Sequence, residues 1–296
     1  MSAAVDLDRV ARSIAKARGT KFSPIVRRET CSGGCIHQAE ILLLADGSRW
    51  FMKSNRAAAS MLAFEKQGLE YLGAAATLRV PQVLLQEDVG DWSVLILECI
   101  ERGRPGATFF EEFGHRLAAL HRRMSNDRFG WFADGYLGTT PQPGGFDSDW
   151  VRFFRDKRLR FQWQLLQRRG IDSTELWRRL DVLSGRLDDY LGEPRDPPSL
   201  LHGDLWSGNY LCDADGAPVL IDPAVHYGHR EFELAMPLLF GGFPSKFFEA
   251  YAESWSLAEG WEDRVEIYQL YHLLNHVNLF GDSYLEACLR ILRRFT

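Results

Sequence analysis

The chain has 296 residues, 46% hydrophobic and 25% charged, with a formal net charge of −5. This is the composition of a globular enzyme with room for two lobes, and it lacks the basic excess of a nucleic-acid binder. Five cysteines, at 31, 35, 99, 212 and 288, form no CxxC pair, so neither a disulfide framework nor a zinc site is indicated and a reducing, cytoplasmic setting is expected. No run of 18 apolar residues occurs, and Asp6 and Asp8 precede the first apolar run, so neither a membrane span nor a targeting peptide is expected.

Leu7, Val10, Ala11 and Ile14 stand at helical spacing and predict a short amphipathic helix. A Gly-bearing turn at Ser32-Gly33-Gly34-Cys35 leads into an apolar strand, Ala39 to Ala45. Asp46-Gly47 signals a hairpin, and Ser48 to Lys53 returns. Residues 55–73 read as a helix, and Val83 to Gln86 with Ser93 to Ile100 as a second strand pair around Gly90-Asp91. From about residue 108 long helices take over. Phe109, Phe113, Leu117, Leu120 and Met124 trace the face of the first, and others are expected at 148–169, 172–191, 230–240, 244–255, 261–280 and 282–294. Basic residues from Arg152 to Arg169 read as a solvated helix face. Thr139 to Gly145, rich in Pro and Gly, reads as a surface loop. The expectation is an α+β fold of two lobes. Residues 1–100 form a small N-terminal lobe of antiparallel sheet plus helix, and residues 101–296 a larger, mainly helical lobe.

One island interrupts the helices. Leu201-His202-Gly203-Asp204-Leu205-Trp206-Ser207-Gly208-Asn209 is followed by two apolar stretches around a polar turn, Asp213 to Gly216, and then by Asp222. An Asp, an Asn five residues on and a second Asp after a hairpin are what phosphoryl transfer requires. Asp204 would accept the proton of an attacking hydroxyl. Asn209 and Asp222 would hold Mg²⁺ against the phosphates of ATP. The competing reading is a polar loop with capping Asp and Asn residues.

The first lobe supplies matching parts. Lys53 ends the strand Trp50-Phe51-Met52-Lys53, where its ammonium can reach phosphates. On the following helix Glu65 interrupts an apolar stripe of Met61, Gly68, Leu69 and Leu72. A carboxylate there either pairs with a cation, for which Lys53 is the candidate, or reaches solvent at a groove edge. Gly33, Gly34 and Cys35 would form a lid offering backbone N–H groups to the nucleotide. Leu95 to Ile100, with Glu98 and Ile100 at its end, would present backbone to the adenine edge or simply be a central strand. GxxxxGK[ST] is absent, which excludes a P-loop nucleotidase.

These residues together resemble the fructosamine-3-kinase (ketosamine kinase) family, related to aminoglycoside and choline kinases within the protein-kinase-like fold. The likeness runs through Gly33-Gly34-Cys35-Ile36, Phe51-Met52-Lys53, Leu117 to His121, Phe129-Gly130-Trp131, Gly138 to Gln142 and Leu201 to Asn209. It continues in Ile221 to Ala224, Gly228 to Met236, Phe240 to Phe243 and Tyr268 to Gly281. Trp206-Ser207-Gly208 and Asp222-Pro223-Ala224 narrow it to the ketosamine branch. The resemblance implies ATP-dependent phosphorylation of a sugar hydroxyl on a ketosamine, free or as a glycated protein lysine, in deglycation repair. It gives Asp204 the base role, Lys53 the phosphate contact, and Asn209 and Asp222 the metal. It makes Trp206 a sugar-stacking wall and places His272 and His276 at the sugar pocket. The family usually carries Asp where this chain has His229 and Glu233, and Asn or Ser where it has His37. Glu233, one methylene longer, can still brace the catalytic loop. Cys35, in the lid near Lys53, is a candidate redox switch or simply a small turn residue. An aminoglycoside- or choline-type kinase is the alternative function. The assembly is expected to be a monomer or homodimer.

Overall fold

In the computed structural model residues 4–31, 37–56, 59–171 and 173–296 are described. The chain divides into two compact units. One comprises the chain as far as Phe109 together with Gly208–Pro223; the other comprises Phe110–Ser207 and Ala224–Thr296.

The first unit opens with helix α1 (Leu7–Arg18), capped by Asp6, whose side chain accepts the Arg9 N–H, and ended by Gly19 in a left-handed conformation. Strands β1 (Ile25–Thr30), β2 (Gln38–Leu44) and β3 (Arg49–Arg56) precede helix α2 (Ala59–Ala74), and β4 (Val83–Val89) and β5 (Trp92–Glu98) follow it. They form one antiparallel sheet in the order β1-β2-β3-β5-β4. Strand alternation decides what each face buries. Leu42, Leu44, Met52, Val94 and Ile96 pack with Val10 and Ile14 of α1. Leu95 and Leu97 pack with Leu62 and Leu69 of α2. Because Met52 belongs to the α1 face, its neighbour Lys53, paired with Leu95 in the ladder, emerges on the α2 face.

Two expectations shift here. β1 was not foreseen, and Asn55 belongs to β3 rather than to the helix, because β3 pairs with β5 as far as Arg56. Gly33, Gly34 and Cys35 lie outside the described residues.

The second unit is mostly helical. Helix α3 (Phe109–Arg123) leads to short strands β6 (Phe129–Trp131), β7 (Gly135–Leu137), β8 (Thr140–Gln142) and β9 (Gly145–Asp147). Helix α4 (Trp150–Phe153) continues through a π-helical turn, Phe154–Leu159, into α5 (Arg160–Arg168). Then come α6 (Thr174–Ser184), α7 (Leu187–Leu191) and β10 (Ser199–Leu201). Strands β11 (Tyr210–Cys212) and β12 (Pro218–Leu220) form the hairpin that groups with the first unit. The chain closes with β13 (His226–Gly228), α8 (Arg230–Phe240), α9 (Ser245–Ser254), α10 (Trp261–Phe280) and α11 (Leu285–Phe295).

The sheet β10-β13-β6-β9 is covered by a core of Phe129, Trp150, Phe153, Phe154, Phe232 and Tyr268, among others. Thr139 to Gly145 is not the surface loop expected. Thr140 and Gln142 are buried, because Gln142 donates to the Ala224 carbonyl at 3.2 Å and accepts from the Tyr271 hydroxyl at 2.9 Å. Its polar side chain is satisfied internally and so tolerates burial.

Candidate active site

In the first unit Lys53 is 6% and Glu65 7% exposed. Lys53 Nζ donates to Glu65 Oε1 at 2.6 Å and to Asp222 Oδ1 at 2.5 Å. The carboxylate that interrupts the α2 stripe is therefore paired and does not reach solvent. Burial alone would lower the Lys53 pKa, but the two carboxylates outweigh it and the ammonium is held. Burial pushes the Glu65 carboxyl up, against the pull of Lys53. Asp222 follows the hairpin with φ 56°, a left-handed conformation uncommon for a side-chain-bearing residue.

Asn209, at the foot of the same hairpin, is buried. Its carbonyl accepts the Ile221 N–H at 3.0 Å, which brings the chain at Asn209 beside the residue preceding Asp222. Glu98 ends β5, with its N–H on the Gln82 carbonyl at 2.8 Å; Ile100 lies just past the strand. His37, half-buried, accepts from Asn55 Nδ2 at 3.1 Å. Burial and the nearby Lys53 push its pKa down to about 4, so the imidazole is neutral.

In the second unit the segment His202-Gly203-Asp204 is held from behind. Glu233, on the first turn of α8 and almost wholly buried, accepts the His202 N–H and, at 3.0 Å, the Gly203 N–H. The Ala224 N–H donates to the His202 carbonyl at 2.8 Å. Gly203 has φ 83°, and a Cβ there would lie 2.1 Å from the Ala224 carbonyl oxygen, so only glycine fits. His121 Nε2 stands 3.7 Å from Glu233, and its Nδ1 meets the Tyr251 hydroxyl at 2.8 Å. Burial lowers the His121 pKa, leaving Glu233 to act as a backbone acceptor rather than as half of an ion pair.

Trp206 is 39% exposed, a large apolar face two residues beyond Asp204. Gly242 packs so closely on the same loop that a Cβ would come 2.6 Å from Ser207 Cβ. The two helical histidines separate. His276 is half-buried among Phe240, Phe280 and Tyr284, with ring centroids 4.9 to 5.4 Å away. His272 is 1% exposed and packs inside against Phe232 and Tyr271.

The structure thus brings Lys53, Glu65, Asn209 and Asp222 into one unit and a braced Asp204 loop with Trp206 into the other. Sequence reasoning gave no role to His121 or Gln142, although each closes a segment that carries the family likeness.

A lysine–glutamate pair between strand and helix, beside a hairpin carrying Asn and Asp, defines a phosphotransferase of the protein-kinase-like class. The fold agrees. An aminoglycoside phosphotransferase structure covers 96% of this chain and 98% of its own with a TM-score of 0.64 at 15% identity, a likeness of fold alone. Residues 7–296 match the family model described as fructosamine kinase. The "Probable ketoamine kinase" of Synechocystis sp. is 38% identical over 95% of this chain and 96% of its own. The "Protein-ribulosamine 3-kinase, chloroplastic" of Oryza sativa subsp. indica is 35% identical over 94% and 80%. A Thermobifida fusca structure that bears the name fructosamine-3-kinase shares 33% identity and a TM-score of 0.86 over 97% and 98%. The chain belongs to the fructosamine kinase family and is an ATP-dependent kinase. No helix among the described residues is long and apolar enough to cross a membrane.

Proposed function

We propose that this kinase transfers the γ-phosphoryl group of ATP to a sugar hydroxyl of a ketosamine, a ribulosamine- or fructosamine-type adduct on a small amine or a protein lysine, as a step of deglycation. The observation that carries phosphoryl transfer is the Lys53 ammonium, buried and fixed between Glu65 and Asp222. Fixed charge of this kind orients phosphate oxygens without reorganisation at the moment of reaction. Asp204 accepts the proton of the attacking hydroxyl, and the two N–H bonds to Glu233 hold its loop still.

Asn209 and Asp222 offer an amide oxygen and a carboxylate. Among the described residues no group of three or more His, Cys, Asp or Glu side chains is placed to hold a metal alone. Two hard oxygen donors, completed by phosphate and water, fit Mg²⁺. When bound, that ion neutralises charge on the phosphates. Trp206 offers the sugar ring an apolar wall. His276, half-buried in an aromatic cluster, is the histidine we assign to the sugar, and His272, almost wholly buried, is assigned to packing.

The test is ATP turnover on ribulosyl-, fructosyl- and erythrulosyl-lysine beside kanamycin and choline. Ketosamine-dependent ADP release is expected. Robust turnover of kanamycin or choline with none on any ketosamine overturns the reading.

A further inference from the structure

The hairpin that carries Asn209 and Asp222 is stitched into the first unit at several points. The Leu220 N–H donates to the Arg79 carbonyl at 2.9 Å, and the Gly103 N–H to the Cys212 carbonyl at 2.9 Å. A Cβ on Gly103 would lie 2.1 Å from the Asp213 carbonyl oxygen, so the backbone contact there requires glycine. These bonds fix where the hairpin lies. One side chain does something more. Arg79 Nη1 donates to Asp213 Oδ2 at 2.5 Å, and Arg79 Nη2 donates to Glu98 Oε1 at 2.5 Å.

The two carboxylates belong to different parts of the proposed nucleotide site. Glu98 closes β5, where the adenine edge would be received, and its Oε2 also accepts the Gln82 N–H at 3.2 Å. Asp213 opens the hairpin turn, its Oδ1 accepting the Asp215 and Ala217 N–H groups at 3.1 and 2.8 Å. One guanidinium fork therefore spans from the strand end to the hairpin that bears Asn209 and Asp222. A fork can bridge two carboxylates at set angles, which a lysine cannot.

Magnitude argues that the Glu98 arm of the fork is not a stability device. The Arg79 side chain is 40% and Glu98 30% exposed, and ion pairs this open contribute about 0–1 kcal/mol. Asp213 is buried, and Arg79 is the partner of its Oδ2 while both backbone N–H groups meet Oδ1. Losing Arg79 therefore costs some stability on that side, and the metal-dependent ratio of nucleotide affinities, not stability, reads the coupling between the two ends of the fork. What a weak but directional pair supplies is geometry.

We infer that Arg79 is a positioning residue that couples the adenine end of the site to the metal-holding hairpin, so that metal and nucleotide reinforce each other's binding. The inference rests on the assignment of Asn209 and Asp222 as metal ligands. Coupling of this kind is reciprocal and shows as the ratio of nucleotide affinities with and without metal.

The experiment measures the Kd of ATP for the full chain by fluorescence titration, once with Mg²⁺ and once with EDTA. Arg79→Gln should shrink the ratio of the two constants about tenfold, by weakening the Mg²⁺ arm while the EDTA arm moves less than about threefold. Asp213→Asn releases the other end of the fork. It should do the same, which keeps the inference testable if Arg79→Gln folds poorly. An unchanged ratio, or equal weakening in both arms, overturns the coupling. Asn209→Ala and Asp222→Asn serve as references. If they abolish the ratio while Arg79→Gln spares it, only the role of Arg79 falls. If they too leave it intact, the metal assignment fails and the coupling with it.

Discussion

Glu233 Oε1 accepts the Gly203 N–H at 3.0 Å across a sequence separation of 30 residues, and fixes the peptide that leads into Asp204. A second N–H, that of His202, meets the same carboxylate. Buried as it is, this acceptor determines how the segment before Asp204 sits. Glu233→Ala would orphan two buried donors, at about 1–3 kcal/mol each. Urea denaturation should show a loss in that range, and kcat should fall about a hundredfold with the KM for ATP little changed. Glu233→Asp, which keeps the charge but shortens the reach, should recover most of the stability. Wild-type kcat in the alanine variant would separate Glu233 from catalysis.

Asp204→Asn keeps the size of the side chain and removes the proposed base. kcat should fall by roughly 10²–10⁴. Nucleotide affinity, which we assign to residues of the other unit, should stay within about twofold. Turnover near wild type would assign proton acceptance elsewhere.

Lys53→Met leaves Glu65 buried with no cation, and breaking such a pair costs about 3–5 kcal/mol. Adding Glu65→Gln should return much of that stability, because the amide needs no counter-charge. It should not return activity, since the proposed phosphate contact stays lost. A double variant as unstable as the single one would show that Glu65 is not what the missing ammonium exposes.

Acid should weaken the fold through its buried imidazoles. Burial drives the His272 pKa down to about 3 from an ordinary value near 6.5, helped by the neighbouring His276 and Arg158. A depressed folded-state pKa contributes stability that is whole above pH 6.5. It is lost as pH falls toward 3, because only the unfolded chain binds the proton in that window. His229, lowered to about 4 mainly by burial, acts in the same direction. Between pH 6 and 4 each such histidine steepens the decline by about 1.4 kcal/mol per pH unit. Unfolding free energies of wild type and His272→Leu across that range should diverge by one proton's slope. Parallel curves would remove His272 from the acid response.

Much of the candidate site was legible because it rests on local pattern. Lys53 closes an apolar run within a strand, Glu65 breaks a helical stripe, and Asn209 and Asp222 flank a hairpin whose turn residues announce it. Periodicity also located α3, α8 and α10 almost to the residue. The parts that escaped have no period to show. β1 is Ile-Val-Arg-Arg-Glu-Thr, an edge strand with its charged residues in solvent. β6 to β9 are three residues each, too short for alternation to appear. The π-helical turn at Phe154–Leu159 sits inside an otherwise ordinary helical pattern. Arg79 lies between α2 and β4 in a stretch with no motif, and only the fold supplies its two carboxylates.

The hairpin's membership of the first unit also bears on how the chain is made. Residues up to Phe109 and Gly208–Pro223 complete one compact body, yet about a hundred residues separate them along the chain. At roughly 5–20 residues per second, the ribosome extrudes the sheet and α2 several seconds before the hairpin that belongs to them. A nascent chain halted in that interval carries Lys53 and Glu65 but neither Asn209 nor Asp222. Any fragment that ends before Gly208 shares that defect, so a C-terminally truncated product inherits the lysine and its glutamate without the rest of the proposed nucleotide site.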